Sequence, residues 1–186
     1  MILQRMALQP TRFDFRMSLS NVDRSRELQQ SVLVARHPSE THAHMIMRVL
    51  GWCVFNEEDL AFGPGLSTPE AADLWTRDAT GTLTTWVECG AATAERLRKI
   101  QQHNPKLAMR VLMDDLKAAT LLKSELDATK LPRAASPPTI CVIERELVKT
   151  LCEKEDRRQK WTVTITGEHM YVDVDGNNVD SPIETL

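Results

Sequence analysis

The sequence lacks most of the features by which nucleic-acid binders, dinucleotide enzymes and membrane proteins are recognised. Lys and Arg number 23 against 26 Asp and Glu, a formal charge of −3, so no global basic footprint marks a simple DNA partner. Aromatics are scarce, with four Trp, four Phe and one Tyr, too few for the interleaved basic and aromatic pattern of a base-stacking platform. Cys53, Cys89, Cys141 and Cys152 lie far apart with no Cys-x-x-Cys pair, which predicts free thiols and a cytoplasmic location. No stretch approaches the roughly 18 apolar residues of a membrane span. There is no Gly-x-Gly-x-x-Gly, no phosphate-loop lysine, no Gly-x-Ser-x-Gly and no His-x-Glu with Cys-x-x-Cys. Dinucleotide cofactors, P-loop chemistry, α/β-hydrolase chemistry and zinc deamination therefore lose their main support.

What is present fits one domain over residues 1–186, with flexible ends at 1–10 and 181–186. Phe13, Phe15, Met17 and Leu19 alternate with Arg12, Asp14, Arg16 and Ser18, the period of a half-buried strand. A second, shorter strand is expected over 31–35. Pro38 and Glu40 suit the first turn of a helix running to about Phe55, with Met45, Ile46, Val49, Leu50, Cys53 and Val54 inward and His42, His44 and Arg48 outward. Beyond it the pattern predicts a strand over 60–62, a hairpin pairing 74–78 with 82–89, and a helix from Thr93 to His103. A strand over 106–113, a helix to about 126 and a loop over 131–138 follow, then a strand over 139–143, a helix over 144–155 and a hairpin closing at 174. This is a mixed α/β domain, a mixed sheet with flanking helices.

Charge is unevenly spread. Residues 161–186 hold five acids and no Lys or Arg, which leaves 23 basic against 21 acidic in residues 1–160. Residues 91–110 carry Arg96, Arg98, Lys99, Lys106 and Arg110 against Glu95 alone, so an anion is expected there.

Two tempting motifs have ordinary readings. His42-x-His44 resembles a metal pair, but a two-residue step sends the rings to different sides of a helix. Asp173 to Asn178 resembles a calcium loop, but its glycine is at the fourth position and no glutamate follows at the twelfth, so it reads as a turn.

The chemistry-bearing segment is 70–99. Glu88 ends an apolar strand on the same face as Trp86, where a carboxylate needs a partner. With the turn at Thr80-Gly81, opposed residues sum to about 161, so Glu88 faces Asp73, with Glu70 three residues upstream. Asp78, beside the turn, is roughly 17 Å away along the strands. Two converging carboxylates make a hard-oxygen site for Mg²⁺ or Mn²⁺. The ordinary alternative is a set of solvated strand-end acids paired with arginine.

The blocks Ala35-Arg36-His37-Pro38-Ser39-Glu40-Thr41, Leu60-Ala61-Phe62-Gly63-x-Gly65-Leu66, Leu74-Trp75, Trp86-Val87-Glu88-x-Gly90 and Lys160-Trp161 resemble the bacterial YaeQ family across nearly the whole chain. That family is held to be a variant of the PD-(D/E)XK, restriction-endonuclease-like fold, with an αβββαβ core to which this chain would add N- and C-terminal strands. The resemblance implies Glu40 as the first-helix acid, Glu88 as the strand acid and Glu70 as a further carboxylate. The motif's lysine position is Gly90 here, and Lys99 is the most economical substitute. Glu70-Ala71-Ala72 keeps one carboxylate of an expected Asp-Glu-Pro, with Asp73 compensating. Together these features predict a Mg²⁺-dependent phosphodiesterase acting on nucleic acid. Glu88 with Glu70 or Asp73 would bind metal, Lys99 would position water, Glu40 would assist, and Arg96, Arg98 and Lys106 would hold phosphates. The alternative is a catalytically lapsed nuclease-like fold that binds nucleic acid or protein as a regulator.

Overall fold

The computed structural model describes residues 9–64, 71–128 and 135–186. Among them, fifteen elements follow in the order β1 (Thr11–Asn21), β2 (Arg26–Arg36), α1 (His42–Phe55), β3 (Ala61–Phe62), β4 (Leu74–Arg77), β5 (Leu83–Cys89), α2 (Ala94–His103), β6 (Ala108–Met113), α3 (Leu116–Asp127), β7 (Thr139–Val142), α4 (Arg145–Cys152), β8 (Arg158–Thr166), β9 (His169–Val174), β10 (Asn177–Pro182) and β11 (Glu184–Thr185). The order expected from residue 38 to residue 174 is the order found.

The strands divide into two sheets, a five-stranded one ordered β10-β9-β8-β1-β2 and a six-stranded one ordered β11-β7-β6-β5-β4-β3. The N-terminal strands β1 and β2 and the C-terminal strands β8, β9 and β10 thus build a second sheet, and only β11 extends the first. The join is the parallel pairing of β1 with β8, Asp14 opposite Arg158 through Asn21 opposite Ile165. In the six-stranded sheet β5, β6 and β7 run parallel, while β3 and β4 are antiparallel.

Packing sorts the elements into layers. Inward residues of β1 and β8, such as Phe15 and Trp161, share one core with α1, α4 and one face of the six-stranded sheet, including Leu74, Val87 and Leu112. The opposite face of that sheet, with Trp86, Met109, Val111 and Ile140, packs on Leu97 of α2 and Leu122 of α3. Helices α1 and α4 therefore lie between the sheets, and α2 and α3 cover the outside.

This layering explains three departures from the sequence reading. Residues 45–55 of α1 are buried all round because the helix meets both sheets, and Arg48 is 0% exposed rather than outward. The helix begins at His42 with Thr41 as N-cap, its hydroxyl accepting from the His44 amide, so Glu40 lies in the turn before α1 and not in its first turn. Residues 181–186, expected to be flexible, are ordered. Ser181 and Pro182 belong to β10, and β11 pairs Glu184 with Val142 at the edge of the six-stranded sheet. Smaller differences are a second strand spanning Arg26–Arg36 and an α4 that stops at Cys152. No helix among the described residues is long and apolar enough to cross a membrane.

Candidate functional site

The site forms at the carboxyl end of β5, where the strand passes into α2 and the preceding turn of α1 approaches. Ends of strands in such sheets leave room for ligands between the departing chain segments. The β4–β5 register runs Leu74 to Val87 and Trp75 to Trp86, so the expected sum of 161 holds up to the bulge at Thr76/Arg77. Asp73 is thereby brought beside Glu88. Its main-chain N–H donates to Val87 O at 3.0 Å, and its Oδ2 accepts the Cys89 N–H at 2.8 Å.

Two close backbone approaches fix the floor. A Cβ on Gly63 would stand 1.9 Å from the Ala72 carbonyl oxygen, so only glycine fits. There Gly63 N–H donates to Asp73 O at 2.8 Å, and Gly63 O accepts from Arg48 Nη2 at 2.7 Å. Gly90 has φ +85 and ends β5, donating its N–H to Leu112 O at 2.8 Å.

Above this floor lies a chain of charges. Glu40 Oε1 meets His44 Nδ1 at 2.7 Å and Arg48 Nη1 at 3.2 Å, and the other ring nitrogen of His44 faces Asp73 Oδ1 at 3.4 Å. Arg48 Nε stands 3.8 Å from the same Asp73 oxygen. Glu88 Oε1 accepts from Trp86 Nε1 at 2.7 Å and from Arg96 Nε at 2.8 Å. The Arg96 guanidinium also donates to Ala71 O at 3.2 Å and lies 6.0 Å over the Trp86 ring.

The titration behaviour follows from these contacts. Burial depresses the His44 pKa, but hydrogen bonds to Asp73 and Glu40 and their charges outweigh it and raise it to about 9, so the ring is an imidazolium at neutral pH. Burial opposes ionisation of Glu40, yet His44 and Arg48 hold its carboxyl below the usual value. Glu88 is the opposite case: burial pushes its carboxyl up, the charge of Asp73 adds to the rise, and Trp86 and Arg96 offset only part of it. Burial also raises the Cys89 thiol well above its ordinary value, which makes it a poor nucleophile.

Of the residues singled out in the sequence, Glu40, Asp73, Glu88 and Arg96 meet in this cluster. Lys99 lies further along α2, exposed, with no ion-pair partner among the described residues. Arg98 donates to the Glu125 carbonyl at the end of α3, and Lys106 is exposed beyond α2. Glu70 lies outside the described residues. Asp78 is occupied in the β4–β5 turn, where Oδ1 accepts from the Thr80 and Thr82 amides. His44 and Arg48 are the members that sequence reasoning missed. Their spacing from Glu40, four and eight residues, was the available signal.

Among the described residues, the oxygens that a divalent ion would need are already engaged. Both oxygens of Asp73 and Oε1 of Glu88 already face protein cations or N–H groups, and among the described residues no group of three His, Cys, Asp or Glu side chains could hold a metal.

The family model described as YaeQ protein matches residues 6–183. The chain belongs to the YaeQ family. Curated YaeQ relatives named as uncharacterized proteins, from Salmonella typhi and Escherichia coli strain K12, are 34% and 33% identical over 94 residues. Those matches cover 50% of this chain and 52% of each relative, so the matched segment spans about half the relatives' length. Among solved structures, YaeQ proteins from Xanthomonas axonopodis pv. citri and Pseudomonas syringae share the fold, with TM-scores of 0.82 and 0.80, each at 24% identity. These likenesses cover 95% of this chain, with 97% and 96% of the respective YaeQ structures.

Proposed function

We propose that this YaeQ chain is a nucleic-acid-binding protein on a restriction-endonuclease-like scaffold, whose acidic cluster is balanced by its own cations. One observation carries the reading: among the described residues, Glu40, Asp73 and Glu88 face His44, Arg48 and Arg96, three acidic side chains against three basic ones. A divalent ion entering a cluster paired in this way must first displace a protein cation from its carboxylate. The scaffold assignment is supported by the order α1-β3-β4-β5-α2-β6, an αβββαβ succession, with acids just before α1, at the start of β4 and at the end of β5. Phosphate contact is left to the exposed cations along and after α2, Lys99 and Lys106 among them.

A second reading, a Mg²⁺- or Mn²⁺-dependent phosphodiesterase, is favoured by the adjacency of Asp73 and Glu88 and by the one-third exposure of the Arg96 side chain, which gives it room to withdraw from Glu88. The deciding experiment incubates wild type with labelled single- and double-stranded DNA and RNA in Mg²⁺, reading anisotropy and strand length together. The proposal predicts saturable, salt-weakened binding with strands intact, and no change on Glu88→Gln. Cleavage abolished by Glu88→Gln makes the second reading correct, and absence of both binding and cleavage removes both.

A further inference from the structure

Beside the acid cluster, α2 and β5 enclose a cleft of about 320 Å³ lined by Trp86, Arg96, Lys99, Ile100, His103 and Asn104. Its volume lies at the lower end of small-ligand pockets, the scale of one small molecule and far below a duplex. The four lining residues Arg96, Lys99, Ile100 and His103 are spaced three, one and three apart, so they form one stripe of the helix. This stripe is chemically divided. Ile100 and the Trp86 indole make an apolar wall, and Arg96, Lys99 and His103 supply donors of three different lengths.

The donors are unequally committed. Arg96 is pinned at the inner end by Glu88 and the Ala71 carbonyl, which orients its guanidinium before any ligand arrives. His103 donates Nδ1–H to the Lys99 carbonyl at 2.7 Å, so its Nε2 serves as a donor to an anion in the imidazolium form, which a bound phosphate favours. Lys99 reaches the cleft with no ion-pair partner among the described residues. A guanidinium, an ammonium and an imidazole converging beside an apolar wall suit a tetrahedral oxyanion attached to a flat, weakly polar group.

We infer that this cleft binds a single nucleotide unit, its phosphate held by Lys99, His103 and Arg96 and its base or sugar against Trp86 and Ile100. The inference rests on the nucleic-acid reading and locates one nucleotide of the bound strand. A phosphate held here lies on the α2 side of Glu88 and shares Arg96 with it.

Calorimetric titration of the full chain with adenosine 5′-monophosphate, adenosine and inorganic phosphate, each separately, tests it. The nucleotide is expected to bind saturably and at least tenfold more tightly than either fragment. Lys99→Glu and His103→Glu, both exposed positions whose folding circular dichroism verifies, should each weaken it at least tenfold, while Arg98→Glu should change it less than twofold. Absence of saturable nucleotide binding, unchanged affinity in Lys99→Glu, or phosphate alone binding as tightly as the nucleotide each overturns the inference. A strand-binding assay on the same samples separates the two claims: strand bound but nucleotide unbound removes the cleft and leaves the wider reading, whereas failure of both removes both.

Discussion

The imidazole of His44 lies over Gly90, so that a Cβ built at residue 90 would stand 3.7 Å from His44 Cδ2. On the scaffold proposed above, residue 90 would be the position of the motif's lysine. Here the nearby positive charge comes instead from α1, through an imidazolium whose two nitrogens face Glu40 and Asp73. Lysine is also disfavoured at residue 90 by the backbone, because φ is +85. Gly90→Lys should therefore lose about 1–2 kcal/mol in urea unfolding, and Gly90→Ala should lose as much, since the strain lies in the main chain. A Lys variant as stable as wild type would contradict this.

Arg48 is the structural cation of the cluster. Its side chain is fully buried and tied to Glu40, Gly63 and Asp73. Removing one partner of a buried pair strands the other charge, so Arg48→Ala should destabilise by about 3–5 kcal/mol. Arg48 and Glu40 should be strongly coupled in a double-mutant cycle, with Arg48→Met/Glu40→Leu recovering much of the loss.

The raised pKa of His44 makes stability pH-dependent. The folded state holds its proton up to about pH 9 rather than 6.5, against burial and through the hydrogen bonds and charges of Asp73 and Glu40. Its contribution is complete below pH 6.5 and is lost as pH rises through about 9, on the order of 3 kcal/mol in all. Urea midpoints across pH 6–10 should fall for wild type, and His44→Gln should flatten most of that fall.

Glu88 should behave unlike Glu40. Burial raises its carboxyl pKa, so folding disfavours its ionised form and stability decreases as pH climbs past the ordinary carboxyl value. Glu88→Gln should be neutral or stabilising by up to about 1 kcal/mol at pH 7, whereas Glu40→Gln should destabilise clearly. Equal, large losses in both would assign Glu88 a structural role.

Much of this geometry was legible in the sequence. The Asp73–Glu88 meeting followed from period-2 alternation and one turn, because the bulge at Thr76/Arg77 lies on the turn side of the paired acids. Residue type pointed to Thr93 as the α2 cap and to either Asp114 or Asp115 for α3; Thr93 accepts the Arg96 amide, and Asp115 is the one that accepts the Ala118 amide. His44 and Arg48 were not legible as inward residues. A helical wheel assumes one wet face, and α1 has none after residue 44 because it is sandwiched between sheets. The second sheet was hidden for a related reason: the parallel pairing of residues 14–21 with 158–165 leaves no local trace in either strand. Arg96 was assigned to phosphate from its charge, but only the fold brings it to Glu88.

The central claim is that the protein's own cations balance the acid cluster. Titration of Mn²⁺ into wild type at pH 7, followed by electron paramagnetic resonance, tests it most directly. The account predicts no saturable site tighter than about 1 mM, the weak end of binding, in wild type and Glu88→Gln alike. Stoichiometric Mn²⁺ binding in wild type that disappears in Glu88→Gln would contradict it.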